Sequence, residues 1–213
     1  MRKRTLLLAL FSITIAGCST NIPTDYRIPA SPTVGLAVGS ITYTGALGAR
    51  QVFLRNAETG QSYRLAVGVS STLNPFSRPD VDPDIGKVGG LFAIELPPGS
   101  YKIDTWRIVQ GSMSLSPSTP IEIPFSVVAG ESVYLGNFHF EQTARFFLGT
   151  GSVDVTLAGN AERDLPALKR RFPVLAAVPV STAIDDSVKL QKLGGYSQRH
   201  MEFATPIFVP VRR

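Results

Sequence analysis

Asp80-Val81-Asp82-Pro83-Asp84 is the densest run of carboxylates in the chain, and alternating carboxylates of this kind open many calcium loops. An EF-hand loop starting at Asp80 requires glycine at its sixth position and a bidentate glutamate at its twelfth. Ile85 and Leu91 stand there, so that motif fails. A looser calcium site and a solvated acidic turn both fit the run, and the turn is the plainer account. The two histidines, His139 and His200, lie about 60 residues apart, too few and too distant for a zinc set. His139 falls near the end of a strand pattern, in phase with Val133, Leu135 and Asn137, and reads as a half-buried histidine bonded to backbone. His200, beside Arg199, reads as a surface residue.

Other candidates for chemistry have plainer explanations. No Gly-x-Ser-x-Gly elbow is present. Gly149-Thr150-Gly151-Ser152 lacks the lysine of a phosphate loop and the third glycine of a dinucleotide fingerprint, and reads as a flexible loop. Lys169-Arg170-Arg171 could meet anionic lipid, but cations at a helix C-terminus also stabilise the helix dipole. Trp106 alternates with Lys102 and Asp104, opposite Tyr101 and Ile103, which suits either a contact residue or a cover for the C-terminal tail. These residues assemble no catalytic set, metal site or cofactor site, and a non-enzymatic protein is expected.

Cys18 is the sole thiol. Before it stand the basic Met1-Arg2-Lys3-Arg4, an apolar run from Leu6 to Ile15, and Ile15-Ala16-Gly17. The segment Thr5–Ala16 holds 12 residues, whereas a membrane-spanning helix needs about 20. The whole resembles a bacterial lipoprotein signal with its lipobox. That resemblance implies cleavage between Gly17 and Cys18, acylation of Cys18 and a mature form with three acyl chains. A single chain anchors only marginally, whereas several hold firmly. By the sorting rule of enteric bacterial lipoproteins, Ser19 in place of Asp implies the outer membrane; the domain is expected to face the periplasm. A secretory signal ending in A-x-A is the alternative reading; it would leave Cys18 a free thiol.

Composition agrees with one exported domain. The formal charge is +5, but Arg2, Lys3 and Arg4 would leave with residues 1–17, which argues against nucleic acid as a partner. With Cys18 acylated, no disulfide can form, so packing alone must hold the fold. Glycine (19) and proline (16) make up about one residue in six, which suits a β domain with many turns. Residues 18–33 carry Pro23, Pro29 and Pro32 and read as an extended tether, long enough at about 3.1 Å per residue to place the domain roughly 45 Å from the lipid.

From Val34 to Arg213 period-2 alternation predicts a single domain of short strands. Strands are expected at 34–43 (with a bulge near Gly39-Ser40), 51–55, 62–69, 90–96, 101–109, 121–127, 132–140 and 152–157. Residues 178–180 and 207–209 read as edge strands. One helix is expected between roughly residues 160 and 172. Asp164 reads as its N-cap, Pro166 lies in its first turn, and Leu165, Leu168 and Phe172 share one face. Pro173 stops it.

The stretch Phe92-Ala93-Ile94-Glu95-Leu96-Pro97-Pro98-Gly99-Ser100-Tyr101 resembles a hairpin of prealbumin-like and carboxypeptidase-regulatory-like modules. Phe125-Ser126-Val127-Val128-Ala129-Gly130-Glu131 with Val133-Tyr134-Leu135-Gly136, and the helix through Phe172-Pro173, are similar to segments of Gram-negative outer-membrane lipoproteins. The resemblance implies a mainly β fold, an antiparallel β-sandwich of prealbumin or immunoglobulin-like type with one short C-terminal helix. It carries over no catalytic residue.

The expected function is that of a lipid-anchored envelope protein, a binding or accessory module for an envelope protein partner. A carbohydrate- or peptidoglycan-binding module is the main alternative, and would need an exposed aromatic row such as Trp106 with Tyr43 or Tyr134. A cell-wall hydrolase ranks behind it. Connection lengths predict tight links (56–61, 97–100, 129–131) at the membrane-proximal end of the domain. Long ones (44–50, 70–90, 110–120, 141–151) should lie at the opposite end, pointing away from the membrane. Long loops on rigid scaffolds favour function, which singles out Ser70–Gly89 with Phe76, Arg78, Asp80, Asp82 and Asp84 as the partner loop.

Overall fold

The computed structural model describes residues 17–18, 21–45, 48–67, 81–146 and 149–201. In chain order these form β1 (Gly17–Cys18), β2 (Gly35–Tyr43), β3 (Ala49–Asn56), β4 (Ser62–Val67), β5 (Val81–Asp82), β6 (Lys87–Leu96), β7 (Gly99–Gln110) and β8 (Met113–Pro117). Then follow β9 (Ile123–Val127), β10 (Ser132–Phe146), β11 (Gly149–Ala158), helix α1 (Ala161–Arg171), a 3-10 turn (Pro173–Ala176), β12 (Val180–Thr182), β13 (Lys189–Leu190) and β14 (Ser197–Met201). The protein is mainly β, with two sheets and one α-helix among the described residues.

The first sheet runs β1-β4-β3-β7-β8-β14, with β9 also on β7; the second runs β13-β11-β10-β2-β6-β5, with β12 also on β10. Most pairs are antiparallel, but β2 and β10, at the middle of the second sheet, are parallel. A wholly antiparallel arrangement is thereby corrected. Val52, Leu54 and Trp106 of the first sheet share one core with Phe92, Phe138 and Phe140 of the second. The rings of Trp106 and Phe140 meet edge to face at 6.0 Å.

β2 is buried on both faces along its whole length. Ala37, Ile41 and Tyr43 enter the core between the sheets, while Leu36 and Val38 meet Ala167, Leu168 and Phe172 of the helix layer. Helix α1 thus covers the outer face of the second sheet. The bulge expected in β2 lies instead in its partner: β2 pairs with β6 without a break, whereas the β2–β10 register shifts between Tyr134 and Asn137. Gly136 takes a φ of +88° there, which suits glycine. Gly39 is small for a different reason, because a Cβ on it would stand 2.6 Å from the Gly136 carbonyl oxygen and 2.7 Å from the Phe92 ring.

A second irregularity re-aims Trp106. In the β3–β7 pair Phe53 faces Thr105 while Leu54 faces Ile103, so Asp104 is an extra residue on β7. The alternation changes phase across it, and Trp106 joins Tyr101 and Ile103 in the core. Its indole N–H donates to the Leu193 carbonyl at 2.8 Å.

Two expected hairpins are instead crossings between the sheets. β6 belongs to the second sheet and β7 to the first, so Pro97-Pro98 carries the chain across; β9 and β10 are divided in the same way. Two adjacent prolines lack the N–H groups a ladder needs. The corner is closed by Tyr101, whose hydroxyl donates to the Pro97 carbonyl at 2.8 Å, a tyrosine-corner geometry. Residues 111–112 join β7 to β8 as a tight turn inside a region read as a long loop, and Gly149–Ser152 begins β11 rather than forming a flexible loop. The tight links 57–61, 97–98 and 128–131 gather at one end, where the Ala57 N–H bonds the Ser100 carbonyl and Gly99 faces Val127. Residues 81–86 precede the start of β6 at the other end, as connection lengths predict.

Helix α1 differs from expectation at its start. Asn160 is the N-cap residue, and the Ala161 N–H is satisfied by the Asp186 carboxylate at 2.8 Å. Asp164 lies within the first turn, fully buried against the sheet. Downstream, β12 pairs with β10 and β14 with β8, while residues 207–209 lie outside the described residues.

The segment read as a free tether is docked. The Asn21 side chain bridges β6, its Nδ2 donating to the Leu91 carbonyl and its Oδ1 accepting from the Ala93 N–H. The Ile22 N–H bonds the Ala93 carbonyl at 2.8 Å, and the Ile22 side chain is buried with Leu91, Ile85 and Phe172. Tyr26 donates to Glu95, and burial together with that carboxylate raises the phenol to about 12. The sequence offers two isolated isoleucines here, Ile22 and Ile28, and no periodicity, so the docking leaves no pattern.

Two outcomes follow from this docking. Ile22→Ala is expected to cost about 2–3 kcal/mol, in the lower part of the range for large-to-small core changes, measured by urea unfolding. Removing residues 1–33 is expected to leave a folded domain with a lower urea midpoint, because it takes away the cover of Leu91 and Ala93.

Candidate functional site

Three elements bring polar side chains together beneath α1. Ser40 and Thr42 project from the outer face of β2, in an apolar strand where two alternating hydroxyls are the sequence signal for a buried polar cluster. Tyr134, Asn137 and His139 come from β10. The bulge at Gly136 places Asn137 and His139 on the same face as Tyr134, although Val133 and Leu135 face the core. Arg163 and Asp164 come from the first turn of α1.

The Asp164 carboxylate accepts from Ser40 Oγ at 2.6 Å and from the Tyr134 hydroxyl at 2.8 Å, and Arg163 Nε donates to its other oxygen at 2.7 Å. Ser40 Oγ in turn accepts from Asn137 Nδ2 at 2.7 Å and from Arg163 Nη2 at 3.1 Å. Burial, then the charge and hydrogen bond of Asp164, push the Tyr134 phenol far up, so it remains a donor at all ordinary pH. Thr42 Oγ1 lies 2.9 Å from His139 Nδ1. The histidine is therefore held by a hydroxyl rather than by backbone, and its burial, with Lys87 and Arg163 adding to the effect against Glu141, lowers its pKa.

These contacts are structural. Ser40 has no exposure and Thr42 has 3%. Ser40 Oγ gives its proton to a carboxylate and accepts two further donors, so its lone pairs are occupied. The imidazole is directed at Thr42, not at Ser40. The arrangement clamps the helix to the sheet and offers no nucleophile to an incoming substrate.

The acidic run is drawn into a second clamp at the other end of α1. Arg171 donates to both Asp82 oxygens at 2.7 Å and also pairs with Asp84. Burial alone would raise the Asp82 pKa, but the Arg171 bonds and the Asp84 N–H bring it below the usual carboxylate range. Arg170 donates to the Asp84 backbone carbonyl at 3.1 Å. Asp82 and Asp84, expected in a partner loop, are thus committed to the helix, while Phe76, Arg78 and Asp80 lie outside the described residues. Among the described residues no three metal-ligating side chains stand together.

Trp106 and Tyr134 are buried, and Tyr43, which carries the Arg50 guanidinium 3.7 Å over its ring, is nearly so. The exposed aromatic row required by the carbohydrate-binding reading is therefore not formed by these three residues. Burial lowers Arg50 to about 10, against the opposing influence of Tyr43. Sequence patterning gave no warning of a buried arginine. His200 is exposed and bonded to Ser116. A groove of about 580 Å³ lies between the docked segment (Tyr26, Ile28) and the turn after the helix (Pro173, Val174, Val178).

No family model and no curated protein matches the chain. Among solved structures, a leucine-rich repeat protein from Bacteroides thetaiotaomicron aligns at 17% identity and a TM-score of 0.30, over 55% of this chain and 15% of that one. A likeness of that size carries no argument about fold or function.

Two measurements test the cluster beneath α1. Asp164→Ala strands the Ser40 and Tyr134 hydroxyls and is expected to cost about 3–5 kcal/mol, as for breaking a buried charged network. Because the folded state holds His139 neutral, its share of stability is complete above the unfolded value near 6.5. That share is lost as pH falls through 6.5 toward the lowered folded value. A His139→Gln variant is expected to flatten the slope of stability against pH in that window, read from urea midpoints.

Proposed function

We propose that the protein is a lipid-anchored component of the bacterial outer membrane, facing the periplasm and held there through acylated Cys18. Its domain, an antiparallel-rich β-sandwich of the prealbumin-like type, serves as a non-enzymatic binding or accessory module for an envelope partner. One observation supports this above the others: the basic start, the short apolar run and Ile15-Ala16-Gly17 directly precede the only thiol. Among the described residues no helix is long and apolar enough to cross a membrane.

The buried polar groups are engaged in packing. Ser40, Asp164 and Asn137 hold α1 on the sheet, and Asp82 and Asp84 hold its far end. Partner binding then falls to the long-loop end, where Gln110 at the end of β7 accepts from the Thr150 N–H of β11 and Gly45 after β2 stands beside Gln142 of β10; we assign the β4–β5 connection, residues 68–80, to the same surface. Phe76 and Arg78 are the side chains we assign to that contact.

Cys18→Ala is the direct test. In envelopes of a Gram-negative host, the variant is expected to retain its signal or to be cleaved aberrantly, and to leave the outer-membrane fraction on flotation. Normal retention of the variant would overturn the anchor.

A further inference from the structure

The point at which the anchored segment meets the domain indicates how the domain lies on the bilayer. Cys18, in the two-residue β1 at the end of the first sheet, is in register with Arg64 of β4. Three residues later, Asn21 is bonded to Leu91 and Ala93 on β6, beside β5, the strand that ends the second sheet. Cys18 and Asn21 thus mark the flank where the β1–β4 edge of one sheet and the β5–β6 edge of the other lie. The chain joins neither the tight-turn end nor the long-loop end. An anchor leaving from Cys18 pulls this flank toward the membrane.

The surface around the crossing suits a headgroup layer. Val81 of β5 is 58% exposed, although it is in register with Val88, which packs on the core. Arg170 reaches the turn after β5 from the end of α1, Lys87 stands opposite Asp82 in the β5–β6 ladder, and both are exposed, as is Lys169 next to Arg170 in the helix. The nearby carboxylates, Asp82 and Asp84, are matched by Arg171 and Arg170, which leaves Lys87 and Lys169 as the surplus positive charge among the described residues of the corner. Basic residues beside a lipid anchor are drawn to anionic headgroups, and an exposed valine can enter the interface.

Resting on the lipid-anchored reading above, we propose that the flank edged by β4 and β5 docks on an anionic bilayer surface. Val81 lies at the interface and Lys87, Lys169 and Arg170 contact the headgroups. The long-loop end is then displayed along the membrane plane rather than away from it.

The test uses the full acylated protein, carrying Val81→Cys or Tyr196→Cys, reconstituted into vesicles containing phosphatidylglycerol. Tyr196 is 68% exposed and precedes β14, the strand at the far edge of the first sheet. With a water-soluble maleimide, the cysteine at 81 is expected to react roughly tenfold more slowly than that at 196. In detergent the two rates should converge. Lys87→Glu with Lys169→Glu, checked for an unchanged melting temperature, is expected to abolish that protection. Equal rates on vesicles, or protection that survives the charge reversal, would overturn the docking. Failure of the protein to float with vesicles at all would instead overturn the anchor on which the proposal rests.

Discussion

A carboxylate with no exposure to water must be fully hydrogen-bonded, and the arrangement around Asp164 follows from that requirement. Its partners come from three separate elements: Ser40 from β2, Tyr134 from β10 and Arg163 from its own helix. The helix can sit only where those donors converge, which fixes its height over the sheet. Asn137 completes the cluster by donating to Ser40, and it can do so only because Gly136 changes the phase of β10 ahead of it. A left-handed glycine and a buried aspartate are therefore parts of one constraint. Apolar contacts from Leu36, Val38 and Leu168 supply most of the adhesion, while the polar cluster sets the position.

Much of the strand content was legible because alternation is a local property. Phe92, Ile94 and Leu96 face inward as their spacing requires, and so do Tyr63 and Leu65. The errors have a common origin in single-residue irregularities. An extra residue at Asp104 brings Trp106 inward, and the shift at Gly136 separates His139 from Val133. A period-2 pattern contains no marker for such an insertion, so every residue beyond it is assigned to the wrong face. Sheet membership was also hidden. Pro97-Pro98 announces a reversal, but whether the returning strand pairs with its predecessor or crosses to another sheet depends on distant partners.

The site residues were less accessible than the fold. Asp164 looked like a helix cap because Leu165-Pro166 follows it, and that local signal outweighed a role visible only once Ser40 and Tyr134 stand beside it. The acidic run showed its composition but not its partner, since Arg171 lies about 90 residues away in sequence. Asn21 and Ile22 carried even less signal. Asn21 docks through one side-chain amide and Ile22 through one main-chain bond to β6, and two single contacts of this kind form no pattern in the sequence.

The parallel pairing of β2 with β10 bears on the order in which the chain can fold. β2 ends at Tyr43 and β10 begins at Ser132, so the middle of the second sheet joins segments separated by about half of the domain. A chain emerging N-terminus first carries β2 with one edge unoccupied until β10 has appeared, and α1, which shields the outer face of both strands, arrives later still. Contacts of such long sequence separation slow folding, because loop closure must precede any gain from pairing. During that interval Leu36, Val38 and Ile41 form an exposed apolar strand with an open edge, the kind of segment that pairs wrongly with other chains. Holding the nascent chain until the last third has been made is thus a demand set by topology.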